Sequence, residues 1–391
     1  MKRFWLLPVF IFLGCPVLPA ETNDNYWEPA YAPLDNRGRT KRLSEIEPRT
    51  IIDQIPTNIT QSGSYYLIHN LGPDSNVIDG ITIAADDVTL DLSGFVLAGT
   101  TNAHCGITME SSSNRNITVK NGVVRGWGWS GLKMLDGLNC RLSGITAIEN
   151  GTSPAAYSAV SVGQDWDVDD CSSSMNKNNG FSIGSGSRAR NCKARGNMSY
   201  GFLASGEGCR FENCSAMGNL QDGFWGGAGT MIIGCIANSN TNKGIFVGNC
   251  SLASGNVAYK NGGLGIDAGT GSRVERNVSA QNTGGGILAD GWSRVTDNQV
   301  VYNGTGVTGI RGRTACRVDG NHVFGHLMGI VASSDASGSL FVGNSAAGNT
   351  TNFFSETVNA CFGQIINSDG MVPARTNFNI SNPWANFELP Y

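Results

Sequence analysis

Charge is scarce in this chain. Asp, Glu, Lys and Arg make up only 15% of 391 residues, and the formal balance is −4. A nucleic-acid surface needs a concentrated basic field, so that partner is excluded. Helical patterning is scarce too, because no segment sustains an apolar period of about 3.6 residues. Beyond the N-terminus no run reaches the roughly 18 apolar residues of a membrane span. Histidine is limited to His69, His104, His322 and His326, and no regular zinc-ligand spacing occurs. What remains is a chain rich in Asn, Ser and Thr, with 53 glycines.

The first residues, "MKRFWLLPVFIFLGCPVLPAETND", place Lys2 and Arg3 before an apolar run and then small residues. This is the pattern of a secretory signal peptide, assigned to 1–20 with cleavage after Ala20. Its competitor is an imperfect lipoprotein signal in which Cys15 carries the lipid. Either reading predicts a secreted, periplasmic or cell-surface protein. Eleven cysteines would ordinarily suggest a disulfide framework after export, but their positions point elsewhere.

A glycine followed by an apolar residue recurs along most of the chain, and from Gly180 to Gly286 the intervals are 21, 22, 21, 21 and 21 residues. Twelve residues after each glycine (or Ala159 in its place) stand Cys171, Cys192, Cys235, Asn256, Asn277, Asn298 and Asn321, with Cys214 one step late. Four before the next glycine stand Asn176, Asn197, Asn219, Asn240, Asn261 and Asn282. Between these marks the apolar residues alternate with period two, which describes short strands separated by corners. A 21-residue period already holding three such strands has no room for a helix, and a leucine-rich horseshoe lacks its leucines. The fold predicted is all-β, a single-stranded right-handed parallel β-helix of about 12 rungs. Equivalent residues then stack about 4.8 Å apart, so the asparagines form ladders and the cysteines read as a column of small buried thiols.

The expected organisation is a signal peptide (1–20), a flexible arm (21–45), an N-terminal cap (46–79), the β-helix (80–350), and a C-terminal cap or tail packing on the coil (351–391). The stretches "NITQSGSYYLIHNL", "DDVTLDLSGFVLAGT", "NITVKNGVVRGWGWSGLKM" and "NPWANFEL" resemble exported bacterial β-helix-repeat proteins of the pectate-lyase-like superfamily. The resemblance covers about residues 45 to 391. Its better-characterised members are polysaccharide lyases, hydrolases and epimerases, so it implies a glycan ligand without assigning an activity. The Asp-Pro-His motif of the mannuronan epimerases is missing. The aspartate set of calcium-assisted pectate lyases has no full match, so no cofactor is expected, with calcium as the alternative.

Counting from each glycine as zero, offsets one, three, nine, twelve and fourteen point inward, and eight, ten, thirteen and fifteen outward. Offset eight then carries a basic column of Arg188, Arg273, Arg294 and Arg317, with Arg210 displaced by one; Met231 and Leu252 interrupt it. This column reads either as a solvated face of ion pairs or as a groove for an anionic polysaccharide. Asp167 and Asp169 share that face opposite Arg188 and Arg190, while Asp165 and Asp170 take corners. Asp167, Asp169, Arg188 and Arg190, together with His322, which stands near Asp319, Arg317 and His326, are the catalytic candidates. Trp127, Trp129, Trp166, Trp225 and Trp292 are candidates for stacking on sugar rings, against the alternative of packing at corners. Two function classes follow: an exported polysaccharide-binding protein, or a lyase or hydrolase acting on an acidic polysaccharide. A structural surface protein is the third reading, and a monomer is expected because a capped coil needs no partner.

Overall fold

A computed structural model describes residues 48–72, 78–110, 114–135, 137–153, 157–304, 306–367 and 384–389. The expectations for the signal peptide, Cys15 and the arm lie outside these residues. The chain divides after Arg49, and every described strand belongs to the unit Thr50–Tyr391.

Three short strands per turn build a right-handed parallel solenoid. The strand after each repeat glycine forms the first face, a sheet of 14 parallel strands running from Thr57–Ile59 to Thr351–Ser355. The second face holds the strands at offsets eight to ten, such as Arg188–Arg190, and the third those at thirteen to fifteen, such as Lys193–Arg195. Two long strands, Thr118–Arg125 and Cys140–Ile148, run through both and join them into one sheet of 27 strands. The outermost first-face strands lack the repeat signature, because Pro56 and Asn352 stand in register with Gly80 and Gly329. That is why the glycine pattern alone marks fewer turns. In the C-terminal region, Asn386–Leu389 pairs with Ser345–Ala347 and Ile365–Asn367, closing the third face.

The repeat glycine has a steric cause. A Cβ on Gly223 would lie 2.7 Å from both Asn240 Nδ2 and the Gly244 carbonyl, so only glycine lets the ladder and the neighbouring turn approach. The next residue points inward, and Phe181, Phe202 and Phe224 stack there with ring centroids 4.9 and 4.8 Å apart. Phe211, from the second face, meets Phe202 edge-on at 5.5 Å. Each turn bends through left-handed backbone, which disfavours most L-residues. Asp165 and Asp170 both adopt φ 54° at such bends, in the corner places expected of them.

Both ladders form. From Asn150 to Asn303, each asparagine Oδ1 after the first accepts the backbone N–H and the side-chain amide of the residue one turn earlier, as Asn240 does for Asn219 at 3.1 and 2.9 Å. The side-chain amide also donates to a third-face strand carbonyl of the preceding turn, Ala194 in the case of Asn219 (3.2 Å). Every polar atom of a buried amide is thereby satisfied, which burial requires. His326 replaces asparagine in this ladder, its Nε2 accepting from Asn303 N–H at 3.2 Å. The second ladder begins as thiols and changes chemistry at Cys235, whose N–H donates to Asn256 Oδ1 at 2.8 Å. Among the described residues all cysteines are free, and the column Cys171, Cys192, Cys214 and Cys235 is buried.

Candidate functional site

The second face is a lattice of ion pairs. Asp169 is only 2% exposed, held between Arg141 (2.9 Å) and Arg190 (3.0 Å). Asp167 pairs with Arg188 at 3.0 Å. Arg210 binds Glu212, Arg273 and Arg276 bind Glu275, and Arg294 and Arg317 converge on Asp319. Burial alone would raise the Glu275 carboxyl, but the guanidinium groups of Arg276 and Arg273 outweigh it and hold it below the usual range. Asp169 points outward as expected yet is covered by its two arginines, an outcome that the strand period cannot reveal. Each candidate arginine of this face is thus engaged by an acid of its own or a neighbouring turn.

His322 is not brought to this acid cluster. It sits on the third face, where its Nδ1 hydrogen-bonds Ser345 Oγ at 2.8 Å. Seven turns separate its coil from that of Asp167, about 34 Å along the axis. The tryptophans divide. Trp127 and Trp166 are 0% and 1% exposed, which corrects their assignment to sugar stacking. Trp127 fills the space left by Gly80, Gly99 and Gly106, and its Nε1 donates to the Leu97 carbonyl at 3.2 Å. Trp166 occupies the core under a corner, its backbone N–H donating to Ser187 Oγ at 3.0 Å. Trp129 is half-buried and stacks on His104 at 3.6 Å. Trp225 is half-buried and outward, and Trp292 is 70% exposed at a left-handed corner.

The side chains that gather unusual chemistry lie instead on the first face, at offset two and immediately before the repeat glycine. Trp225 and Phe246 stack across neighbouring turns at 5.5 Å, and Tyr200 flanks Trp225 at 6.4 Å. Lys243 Nζ lies 4.9 Å from the centre of the Phe246 ring and 2.6 Å from Asp267 Oδ2. Beside it Asp222, 3% exposed, accepts the Lys243 backbone N–H at 2.9 Å. Burial raises the Asp222 carboxyl to about 6 despite that hydrogen bond and the nearby ammonium. Towards the N-terminus the same face carries Lys133 over the Tyr157 ring at 4.4 Å, next to Trp129 and His104. Beyond Asp267 it opens into a cleft of about 330 Å³ walled by Leu264, Leu288, Arg311 and Met328. Aromatic rings and cations therefore gather in two groups on one side of the coil, around Lys133 and around Trp225, with Ser161, Ser182 and Leu203 between them in the outward column. Trp225 was among the stacking candidates, whereas Phe246, Asp267 and Lys243 were not; "GFW", "GIF" and "GID" at Gly223, Gly244 and Gly265 carried the signal. Among the described residues no cluster of three or more metal-ligating side chains is present, and no helix is long and apolar enough to cross a membrane.

The family described as right handed beta helix region matches residues 58–216 and 202–346. Similar solved structures include the A-module of the Azotobacter vinelandii mannuronan C-5 epimerase AlgE4, at 17% identity and a TM-score of 0.56, covering 77% of this chain and 91% of that one. The A-module of AlgE6 from the same organism follows at 16% identity and 0.55, with the same coverage. A tailspike protein of E. coli bacteriophage HK620, in complex with a pentasaccharide, aligns at 12% identity and 0.50 over 77% of this chain and 74% of that one. At such identities the likeness is one of fold. Among curated protein sequences none matches the chain.

Proposed function

The chain belongs to the family of right-handed β-helix proteins, and from that premise we propose that it binds a polysaccharide laid along the first face. The observation that carries the proposal is the Tyr200–Trp225–Phe246 row with Lys243 over its end. Large aromatic rings on an outward sheet position offer flat apolar faces at the spacing of the coil, as a repeating polymer requires. The Lys133–Tyr157 group lies on the same face, five turns or about 24 Å from the turn of Phe246. Epimerase modules and a pentasaccharide-bound tailspike share the fold, which supports a glycan as the occupant. Export, inferred from residues 1–20, would bring the face to such polymers. One chain suffices for the site, and no cofactor enters the proposal.

The second-face arginines are a poorer choice, since their charge is already spent on neighbouring acids. A screen of acidic and neutral polysaccharides by pull-down and calorimetry tests the reading. Binding to at least one, weakened by Trp225→Ala, is expected; binding that survives this change would place the ligand elsewhere.

One observation favours turnover as a second reading. A lysine paired with Asp267 beside a carboxyl that titrates at about 6 is a proton-transfer constellation near neutral pH. Its geometry fits acid–base cleavage better than does Asp167, whose carboxylate is tied to Arg188. Unsaturated products or new reducing ends, lost in Lys243→Met, would establish it.

A further inference from the structure

A second cleft, of about 440 Å³, lies on the corner where the third face turns into the first. Tyr302, Phe324, Leu327 and Thr350 wall it, and glycines, among them Gly325 and Gly348, supply much of its floor. Tyr302 is 54% exposed, and its ring stands edge-on to Phe324 at 5.1 Å. The floor is open for a reason: a Cβ on Gly325 would lie 2.5 Å from Tyr302 Cδ1, and one on Gly348 would lie 2.6 Å from Phe324 Cε2. Each aromatic ring thus leans over the glycine one turn further on, leaving backbone exposed beside a ring. The cleft meets the first-face cleft at Gly306, which lines both.

The chemistry of the two clefts differs. Arg311 lines the first-face cleft, whereas among the described residues no Asp, Glu, Lys or Arg lines the corner cleft. Its one titratable base, His326, is 4% exposed and committed to the ladder through Asn303 and Asn349. Burial lowers its pKa, which keeps the ring neutral. A carboxylate or sulfate entering here would lose water and meet no compensating charge. An uncharged ring would set its C–H bonds against the aromatic π-face, which is the negative part of the ring quadrupole. Its hydroxyl groups could then reach Thr350 and the glycine backbone. The volume lies in the range of small-ligand sites, at the low end of about 300–1,000 Å³.

We infer that the Tyr302–Thr350 cleft is a separate subsite for an uncharged pyranose, placed to take a neutral sugar unit of a chain whose remainder lies on the first face. The inference rests on the proposed polysaccharide function but is tested apart from it. Saturation-transfer NMR with methyl α-mannopyranoside, methyl β-glucopyranoside and N-acetylglucosamine probes the subsite with single uncharged rings. At least one should receive saturation from the native protein, keep it with Trp225→Ala, and lose at least three-quarters of it with Tyr302→Gly. Tyr302 adopts φ 50°, so glycine suits its backbone, and a retained cooperative melt shows that the loss is not unfolding. A second variant, Thr350→Val, removes a wall hydroxyl without touching either aromatic ring and should weaken the same signal at least twofold. Silence from all three probes, or a signal unchanged in Tyr302→Gly, overturns the subsite. Loss with Trp225→Ala but not Tyr302→Gly overturns it too, by assigning the rings to the first face. Polysaccharide binding that ignores Trp225→Ala refutes the first-face reading instead, so the two failures are distinct.

Discussion

Replacing Asp222 by asparagine should stabilise the coil at neutral pH and leave it unchanged in acid. The carboxyl is 3% exposed and titrates at about 6 instead of 3.8. A displacement of about two units corresponds to about 3 kcal/mol between protonated and ionised forms. The sign follows from linkage: below the unfolded value both states hold the proton, and Asp222 carries no ionisation penalty. As pH rises through the folded value, the folded protein must ionise a desolvated group, so stability present below about 3.8 is lost by the time the pH exceeds about 6. Asparagine retains the needed acceptor, since Asn179 Oδ1 accepts the Tyr200 N–H at 3.2 Å in the equivalent place two turns earlier. Solenoids can unfold in parts, so amide exchange at Gly223 and Lys243 is the appropriate assay alongside thermal melts. Protection at about pH 7.5 should rise in Asp222→Asn by up to about 3 kcal/mol, with no difference at about pH 3.5. A gain of the same size at both pH values, or none at neutral pH, would refute the reasoning. A carboxylate kept at this cost beside Lys243 and Asp267 suits a ligand face better than a structural corner.

Further predictions concern the scaffold. His326 carries the same logic with opposite charge: burial lowers its pKa below 6.5, so as pH falls below about 6.5 the unfolded chain binds the proton first and stability declines. His326→Asn should remove that loss, read as melting temperatures that no longer fall between about pH 7 and pH 5. Gly223→Ala should destabilise by about 1–3 kcal/mol, measured by chemical denaturation, because its Cβ collides with the Asn240 amide and the Gly244 carbonyl. Trp292→Gly should stabilise by about 0.5–1 kcal/mol in the same assay, relieving a left-handed residue by more than the added chain entropy. If it also weakens polysaccharide binding, the exposed ring belongs to the ligand surface.

The sequence made the coil legible because a solenoid repeats its constraints. Gly223 and Gly244 are forced by close approach, Asn219 and Asn240 by amide satisfaction, and each recurs in step. Such periodic positions announce themselves in one dimension. The residues of the proposed site do not, because they break the repeat: Trp225, Phe246 and Asp267 occupy one column with three different side chains. Asp167 and Asp169 drew notice as a local cluster, yet cross-turn pairing with Arg188 and Arg190 neutralises them. Trp127 is buried because small neighbours such as Gly80 and Gly106 leave volume that a large ring fills. That compensation spans turns and is invisible in a local window.

The central claim is that the first face, not the arginine face, holds the glycan. The polysaccharide giving the strongest response in the screen can be titrated by calorimetry into native protein, Trp225→Ala and Arg210→Ala. Truncating a central aromatic anchor should cost 2 kcal/mol or more, a weakening of about 30-fold, while Arg210→Ala should bind within about twofold of native because its charge serves Glu212. Loss of affinity in Arg210→Ala with Trp225→Ala unaffected would contradict the account.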